Sequence, residues 1–147
     1  MSSEHDVQAP RTFVVGISEA ETSQVAARHA VALAGATGAT VHFVTAIDRD
    51  EVRVIPMGSD EFVFDSIENA RITVERFIDS LGTEVPFTVE AAEGSPAKAL
   101  VSVAERVNAD LIVVGNVRMQ GVGRVLGSVG NDVLRTAPCS VLIVKTV

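Results

Sequence analysis

LIVVGNVRMQGVGRVLGS, residues 111–128, is the stretch from which the rest of the chain is best read. Leu111 to Val114 followed by Gly115 predicts a short strand covered on both faces, because an all-apolar run rich in β-branched side chains has no wet side. A glycine-rich loop containing Arg118, Gly121, Gly123 and Arg124 follows and ends at Gly127-Ser128. Val129, Val133 and Leu134 then have the apolar spacing of a short helix, which puts Ser128 at or near a helix N-terminus. A strand end, a small-residue loop and a helix start together aim unpaired backbone N–H groups at one point, and that point favours an anion, above all a phosphate.

Working back from that stretch, the chain alternates. Thr12 to Ile17 predicts the first strand; Ser18 with Glu21 matches a capping box, and Thr22 or Ser23 offers a second start for the helix that follows. Ala26, Ala30, Leu33 and Ala34 share one face of that helix, which stops in Gly35 and Gly38. Thr40 to Ile47 is a second strand, followed by a surface loop from Asp48 to about Ser59. The charged run in that loop has neither His nor Cys beside it and lacks EF-hand spacing, so no metal is expected. Val63, Ile67, Ala70, Val74, Phe77, Ile78 and Leu81 mark a long helix closed by Gly82. Val85 to Ala92 alternates and contains Pro86, which suits an edge strand. Ser95-Pro96 caps a helix with buried positions Leu100, Val103, Ala104 and Val107. After the helix that begins near Ser128, Ala137-Pro138 breaks the chain ahead of a last apolar strand, Val141 to Val144.

Strands separated by helices throughout imply right-handed crossovers and a five-stranded parallel sheet with helices on both faces, an α/β single-domain Rossmann-like fold. In strand order 3-2-1-4-5, the carboxyl ends of the first and fourth strands, Ile17-Ser18 and Val114-Gly115, flank the switch point where open α/β sheets bind ligands.

Composition agrees with this and narrows the function. A chain of 147 residues with 47% hydrophobic content makes one domain with a good core, and no run approaches the roughly 20 apolar residues of a membrane span. Residues 1–10 are polar and acidic and predict a flexible tail on a cytoplasmic protein, with the domain proper over 11–147. The single cysteine, Cys139, cannot form an internal disulfide and is expected to be a small buried hydrophobe. The net charge of −7 is uneven: residues 1–110 hold 8 basic against 18 acidic side chains, whereas 111–147 hold 4 basic against Asp132 alone. An acidic body argues against nucleic acid or an anionic membrane as partner, and the positive segment beside the glycine loop suits a small anion unless its arginines merely occupy a solvated face.

Catalytic motifs fail one by one. Gly121 to Gly127 reads GxGxxxG, one residue too long for the dinucleotide fingerprint, and no Lys precedes Ser128 as a Walker loop needs. Leu126 stands where a nucleophile elbow requires glycine. His5, His29 and His42 lie in a tail, a helix and a strand with no Ser or Cys placed beside them. No enzyme is expected.

With these residues in view, the chain resembles the universal stress protein family in its UspA-type branch. The resemblance spans nearly all of 11–146 and rests on DLIVVGN (Asp110 to Asn116), LGSVGNDVLRTAPCSVLIVK (Leu126 to Lys145), EGSPAKALVSVA (Glu93 to Ala104) and VVGIS (Val14 to Ser18). It implies a small cytoplasmic stress-response domain, usually a homodimer through its last strand, that in some members binds ATP, in others cyclic AMP, and in others no detectable nucleotide. Mg²⁺ would enter only with ATP. Topology, the glycine-rich stretch and this resemblance together give a candidate nucleotide site of Gly16, Ile17, Ser18, Ala46, Val114, Gly115, Asn116, Arg118, Gly121, Gly123, Gly127, Ser128 and Val129.

Against the ATP-binding members' pattern of glycine, two residues, glycine, nine residues, glycine and Ser or Thr, Gly115 and Gly127-Ser128 match, but Arg118 replaces the middle glycine and only eight residues separate it from Gly127. Ser18 also stands where the family usually has aspartate, and Glu19 where glycine normally follows. Arg118 and Arg124 would either bind phosphate or fill the pocket, and the glycines would then serve helix-to-strand packing alone. Two alternatives stand beside the nucleotide module: a dimeric stress protein acting through partner proteins without a ligand, and a slow ATPase or phosphotransferase, for which Asp132 is the one acid near Ser128 in sequence.

Overall fold

The computed structural model describes residues 7–18, 21–47, 59–119, 123–125 and 127–146, with the backbone alone at 59–65, 117–119 and 123–125. The charged segment 48–58 and residues 1–6 of the acidic tail lie outside the described residues. In chain order the elements are β1 (Thr12–Gly16), α1 (Glu21–Thr37), β2 (Thr40–Ile47), α2 (Ser59–Ser80), β3 (Phe87–Glu93), α3 (Pro96–Val107), β4 (Leu111–Gly115), β5 (Val117–Met119), β6 (Gly123–Val125), α4 (Ser128–Thr136) and β7 (Ser140–Val144). Five strands form one sheet in the order β3-β2-β1-β4-β7, and all its pairs are parallel, as strands joined through helices lead one to expect.

Each strand sends successive side chains to opposite faces, so the sheet divides two cores. Phe13, Val15, Val41 and Phe43 meet Val74 and Ile78 of α2 and an alanine face of α1, Ala26, Ala27, Ala30 and Ala34. Val14, Val44, Ile112 and Val114 meet Leu100 and Val103 of α3 and Val133 of α4. At the sheet's starting edge, the Asp110 carboxylate accepts from the backbone N–H groups of Arg11 and Thr12 at 3.0 and 3.1 Å, and this fixes where β1 and β4 begin together.

Helix ends follow their local chemistry. Ser95 caps α3 by accepting from the Lys98 N–H, Pro96 takes the first helical position, and Asn108 ends the helix in the left-handed region. Gly82 follows α2 with φ +65°, a conformation that costs a side-chain-bearing residue most.

Five expectations need correction. Leu33 is 36% exposed rather than core-facing: α1 lies so close to the sheet that its inner face is built of alanines, leaving Leu33 at the margin. Leu134 is likewise half exposed, because α4 turns Gly130 and Val133 inward. The third strand begins at Phe87 rather than Val85, since Pro86 cannot donate to the ladder. The last strand begins one residue earlier than expected, at Ser140, whose register places it opposite Leu111. The glycine-rich loop is also not all loop: β5 and β6 pair antiparallel as a hairpin, with Arg118 opposite Arg124.

Candidate functional site

The carboxyl ends of β1, β2 and β4 open into a cavity of about 250 Å³ at the switch point of the sheet. That is just under the roughly 300–1,000 Å³ usual for small-molecule sites. Its walls are mostly apolar, from Val44, Ala46, Leu100, Val114 and Val129, and its polar groups sit on one side, where Ser18, Thr22 and Ser23 line it. Parallel topology dictates this arrangement, because every βα connection reaches the same edge and brings the next helix start with it. The first turns of α1, α3 and α4 contribute Thr22 and Ser23, Pro96, and Val129.

Helix starts carry unpaired N–H groups and the positive end of the helix dipole. In α3 the Ser95 hydroxyl already engages one such N–H. At α4 the capping position is Gly127, in extended conformation, and no side-chain oxygen caps the helix. The first-turn amides of α4 are therefore not taken up by a side chain at its cap position. The Ser18 N–H donates to Ser23 Oγ at 2.6 Å, holding the exit of β1 against the first turn of α1, and the Ile17 N–H donates to the Val44 carbonyl at 3.0 Å.

Seven of the expected site residues line this cavity: Gly16, Ile17, Ser18, Ala46, Val114, Gly115 and Val129. Gly127 and Ser128 stand at the start of α4. Arg118 and Gly123 lie in the β5–β6 hairpin, and Gly121 lies outside the described residues. Asn116 is not a wall residue: its side chain turns to the chain's last segment and accepts from the Thr146 N–H at 2.6 Å. Thr22, Ser23, Val44, Pro96 and Leu100 were missed as wall residues. Thr22 and Ser23 were legible as hydroxyls in the turn after the first strand, but nothing in the sequence marked Val44 and Leu100 as wall rather than core.

The two glycines flanking the cavity also answer to packing. A Cβ on Gly16 would meet Leu100 Cδ1 at 3.1 Å, and one on Gly115 would meet Thr146 Cγ2 at 3.0 Å and the Thr22 carbonyl oxygen at 3.3 Å. Gly115 thus lets β4 approach the first turn of α1, and that approach shapes the cavity floor.

The profile of the universal stress protein family matches residues 10–145. The chain belongs to the universal stress protein family. It is 31% identical over 141 residues to a universal stress protein of Methanocaldococcus jannaschii, covering 92% of this chain and 82% of that relative. A universal stress protein solved in complex with cAMP superposes with a TM-score of 0.70 at 30% identity, covering 95% of this chain and all of that one. A universal stress protein from Archaeoglobus fulgidus, solved in complex with dAMP, shares the fold with a TM-score of 0.63 at 22% identity, covering 94% and 100%. This universal stress protein is therefore a Rossmann-like α/β domain by sequence and by architecture alike.

Other chemistry-bearing side chains lie apart from the cavity. Asp132 Oδ1 accepts from Arg135 Nη2 at 2.7 Å along α4. Cys139 is half-buried beside the α3–α4 core, and burial, with the Asp110 charge adding to it, pushes its thiol up. No cluster of three or more metal-ligating side chains occurs among the described residues, and no described helix is long and apolar enough to cross a membrane.

His42 on β2 bonds Thr88 Oγ1 of β3 through Nδ1 at 2.7 Å, next to an ion pair between Glu90 and Arg106. Burial lowers its pKa from 6.5; Glu90 opposes that shift and Arg106 adds to it. The unfolded chain therefore takes up this proton at a higher pH than the folded one, so stability is full above about pH 6.5 and falls as the pH drops through that value. Urea midpoints at about pH 7.5 and 5.5 should show this loss in the parent and a smaller one in His42→Asn; equal losses would refute it.

Proposed function

We propose that this domain is a nucleotide-binding stress-response module, with the cavity between β1 and β4 holding the nucleoside and the amides at the start of α4 facing the phosphate. The observation that carries this reading is the convergence of three helix starts on one mostly apolar cavity, with α4 left without a side-chain cap. The likeness to the cAMP-bound universal stress protein supports the same ligand class. The residues fit that class: apolar walls suit a base, hydroxyls at Ser18, Thr22 and Ser23 suit a sugar, and the backbone amides at the start of α4 suit an anion. Cyclic AMP and ATP are the candidate nucleotides, with Mg²⁺ accompanying ATP alone. The domain acts by binding rather than catalysis and works in the cytoplasm.

Amide chemical shifts followed during a cyclic AMP titration test the placement. Shifts are expected at Gly16 to Ser18, Val114 to Asn116 and Gly127 to Val129. Shifts confined to the His42–Thr88 face would contradict it.

A second reading concerns assembly. Among the described residues β7 pairs only with β4, and Leu142 on it is 36% exposed, so its other side is a strand edge of the kind that pairs with a second copy. We propose a homodimer across β7. Sedimentation should give a dimer mass in the micromolar range, and a monomer at every concentration would overturn it.

A further inference from the structure

Asn116 stands between the end of β4 and the β5–β6 hairpin, yet its side chain serves neither the cavity nor the solvent. It is 8% exposed, and its Oδ1 accepts from the Thr146 N–H at 2.6 Å. The Thr146 hydroxyl lies 2.6 Å from the Asn116 carbonyl oxygen and 2.9 Å from Oδ1; with a single proton, it donates to one of the two at a time. The Asn116 N–H donates to the Val144 carbonyl at 3.0 Å, so the loop's first residue is held on its main chain by the end of β7 and on its side chain by Thr146 just beyond it.

The same threonine reaches the cavity floor. Its methyl carbon lies 3.0 Å from where a Cβ on Gly115 would stand, and the Thr22 carbonyl oxygen closes the other side at 3.3 Å. Gly115 and Thr22 both line the cavity. Thr146 therefore backs one wall residue and anchors the next residue in the chain, although it does not itself line the cavity.

We infer that Asn116 and Thr146 form a clasp that positions the cavity floor and the take-off of the glycine-rich segment, so that nucleotide affinity depends on two residues that do not touch the nucleotide. The inference rests on the nucleotide reading above. A buried amide with its oxygen pointed at a backbone N–H has one orientation, and it transmits that orientation to the backbone that carries it. Loss of the hydroxyl leaves the bonds from the Thr146 N–H to Oδ1 and from the Asn116 N–H to Val144 in place but removes the one to the Asn116 carbonyl, and the direction in which the chain leaves β4 is then less tightly fixed. Binding to amides at fixed positions falls accordingly.

Thr146→Val removes the hydroxyl at nearly constant shape, and Thr146→Ser keeps the hydroxyl while deleting the methyl. Cyclic AMP affinity, thermal midpoint and amide hydrogen exchange are to be measured on both and on the parent. Thr146→Val should bind about tenfold more weakly, the low end of what losing an outer-shell orienting contact costs at metal sites, with a midpoint lower by no more than about 6 °C, the cost of one hydrogen bond. Its amide exchange should quicken from Asn116 to Met119, and Thr146→Ser should match the parent in affinity and exchange. Unchanged exchange in Thr146→Val overturns the clasp whatever the nucleotide does. Faster exchange with parental affinity overturns its role in positioning, and so does an affinity loss that Thr146→Ser shares. If the parent binds no nucleotide, the functional proposal fails on its own account and the exchange comparison still decides the clasp.

Discussion

Phe43→Ala should cost about 3–5 kcal/mol of folding stability, roughly a fifth or more of the about 5–15 kcal/mol that a domain ordinarily has. Phe43 is 0% exposed at the centre of β2, and its ring meets Phe87 of β3 edge to face, with centroids 6.1 Å apart and planes at 74°. Three losses coincide in this substitution. The transfer free energy of a buried ring goes, a cavity opens between the sheet and α2 that a close-packed interior refills only in part, and the aromatic pair contributes roughly 0.5–1.5 kcal/mol more than its area alone. Phe87 lies on the edge strand, which has one neighbour in the sheet, so its anchorage suffers most. Urea unfolding should show a lower midpoint at unchanged slope, and the thermal midpoint should fall by roughly 6–20 °C. A loss below about 1 kcal/mol would mean that the β2–β3 pair is held by something other than this ring contact.

The second large effect concerns binding. Ala46 lies near the end of β2, half-exposed, with its side chain on the cavity wall. Ala46→Phe puts a ring into a space of about 250 Å³ that the base would otherwise fill. Because the position is not in the packed core, the added volume displaces ligand rather than protein, and the thermal midpoint should stay within about 3 °C of the parent. Nucleotide affinity should fall at least about thirtyfold, roughly 2 kcal/mol. The contrast between the two variants separates core from site: one loses stability, the other loses affinity with stability kept.

Most of the sheet was legible because parallel strands covered on both faces write themselves as apolar runs. Thr40–Ile47 and Leu111–Gly115 read from the sequence with the ends they have in the structure. Ser95-Pro96 and Gly82 marked helix ends for reasons of local geometry that no tertiary contact alters. The misreadings at Leu33 and Leu134 share one physical origin: hydrophobic spacing locates a face but not how near that face lies to the sheet, and close approach selects Ala26, Ala30 and Gly130 over leucine. The β5–β6 hairpin escaped notice because its strands are three residues each and set among glycines, too short for alternation to register.

The cavity was legible at its strand ends, where topology alone places Ile17, Ser18, Val114 and Gly115. Its α3 wall was not, since Leu100 occupies the same apolar stripe as residues of the core. Asn116 belongs to the nucleotide site in the sequence reading, but its side chain's partner Thr146 is 30 residues away in sequence, and a contact across that distance leaves no local signal.

On the proposed function, the hollow where β1 and β4 part company receives a nucleotide. Titration calorimetry of cyclic AMP and of ATP with and without Mg²⁺, run on the parent and on Ala46→Phe at about 100 μM protein, tests it most directly. Saturable heat is expected for at least one nucleotide with the parent, and its loss in the variant. Heat that survives in Ala46→Phe, or no heat from either nucleotide with the parent, would contradict it.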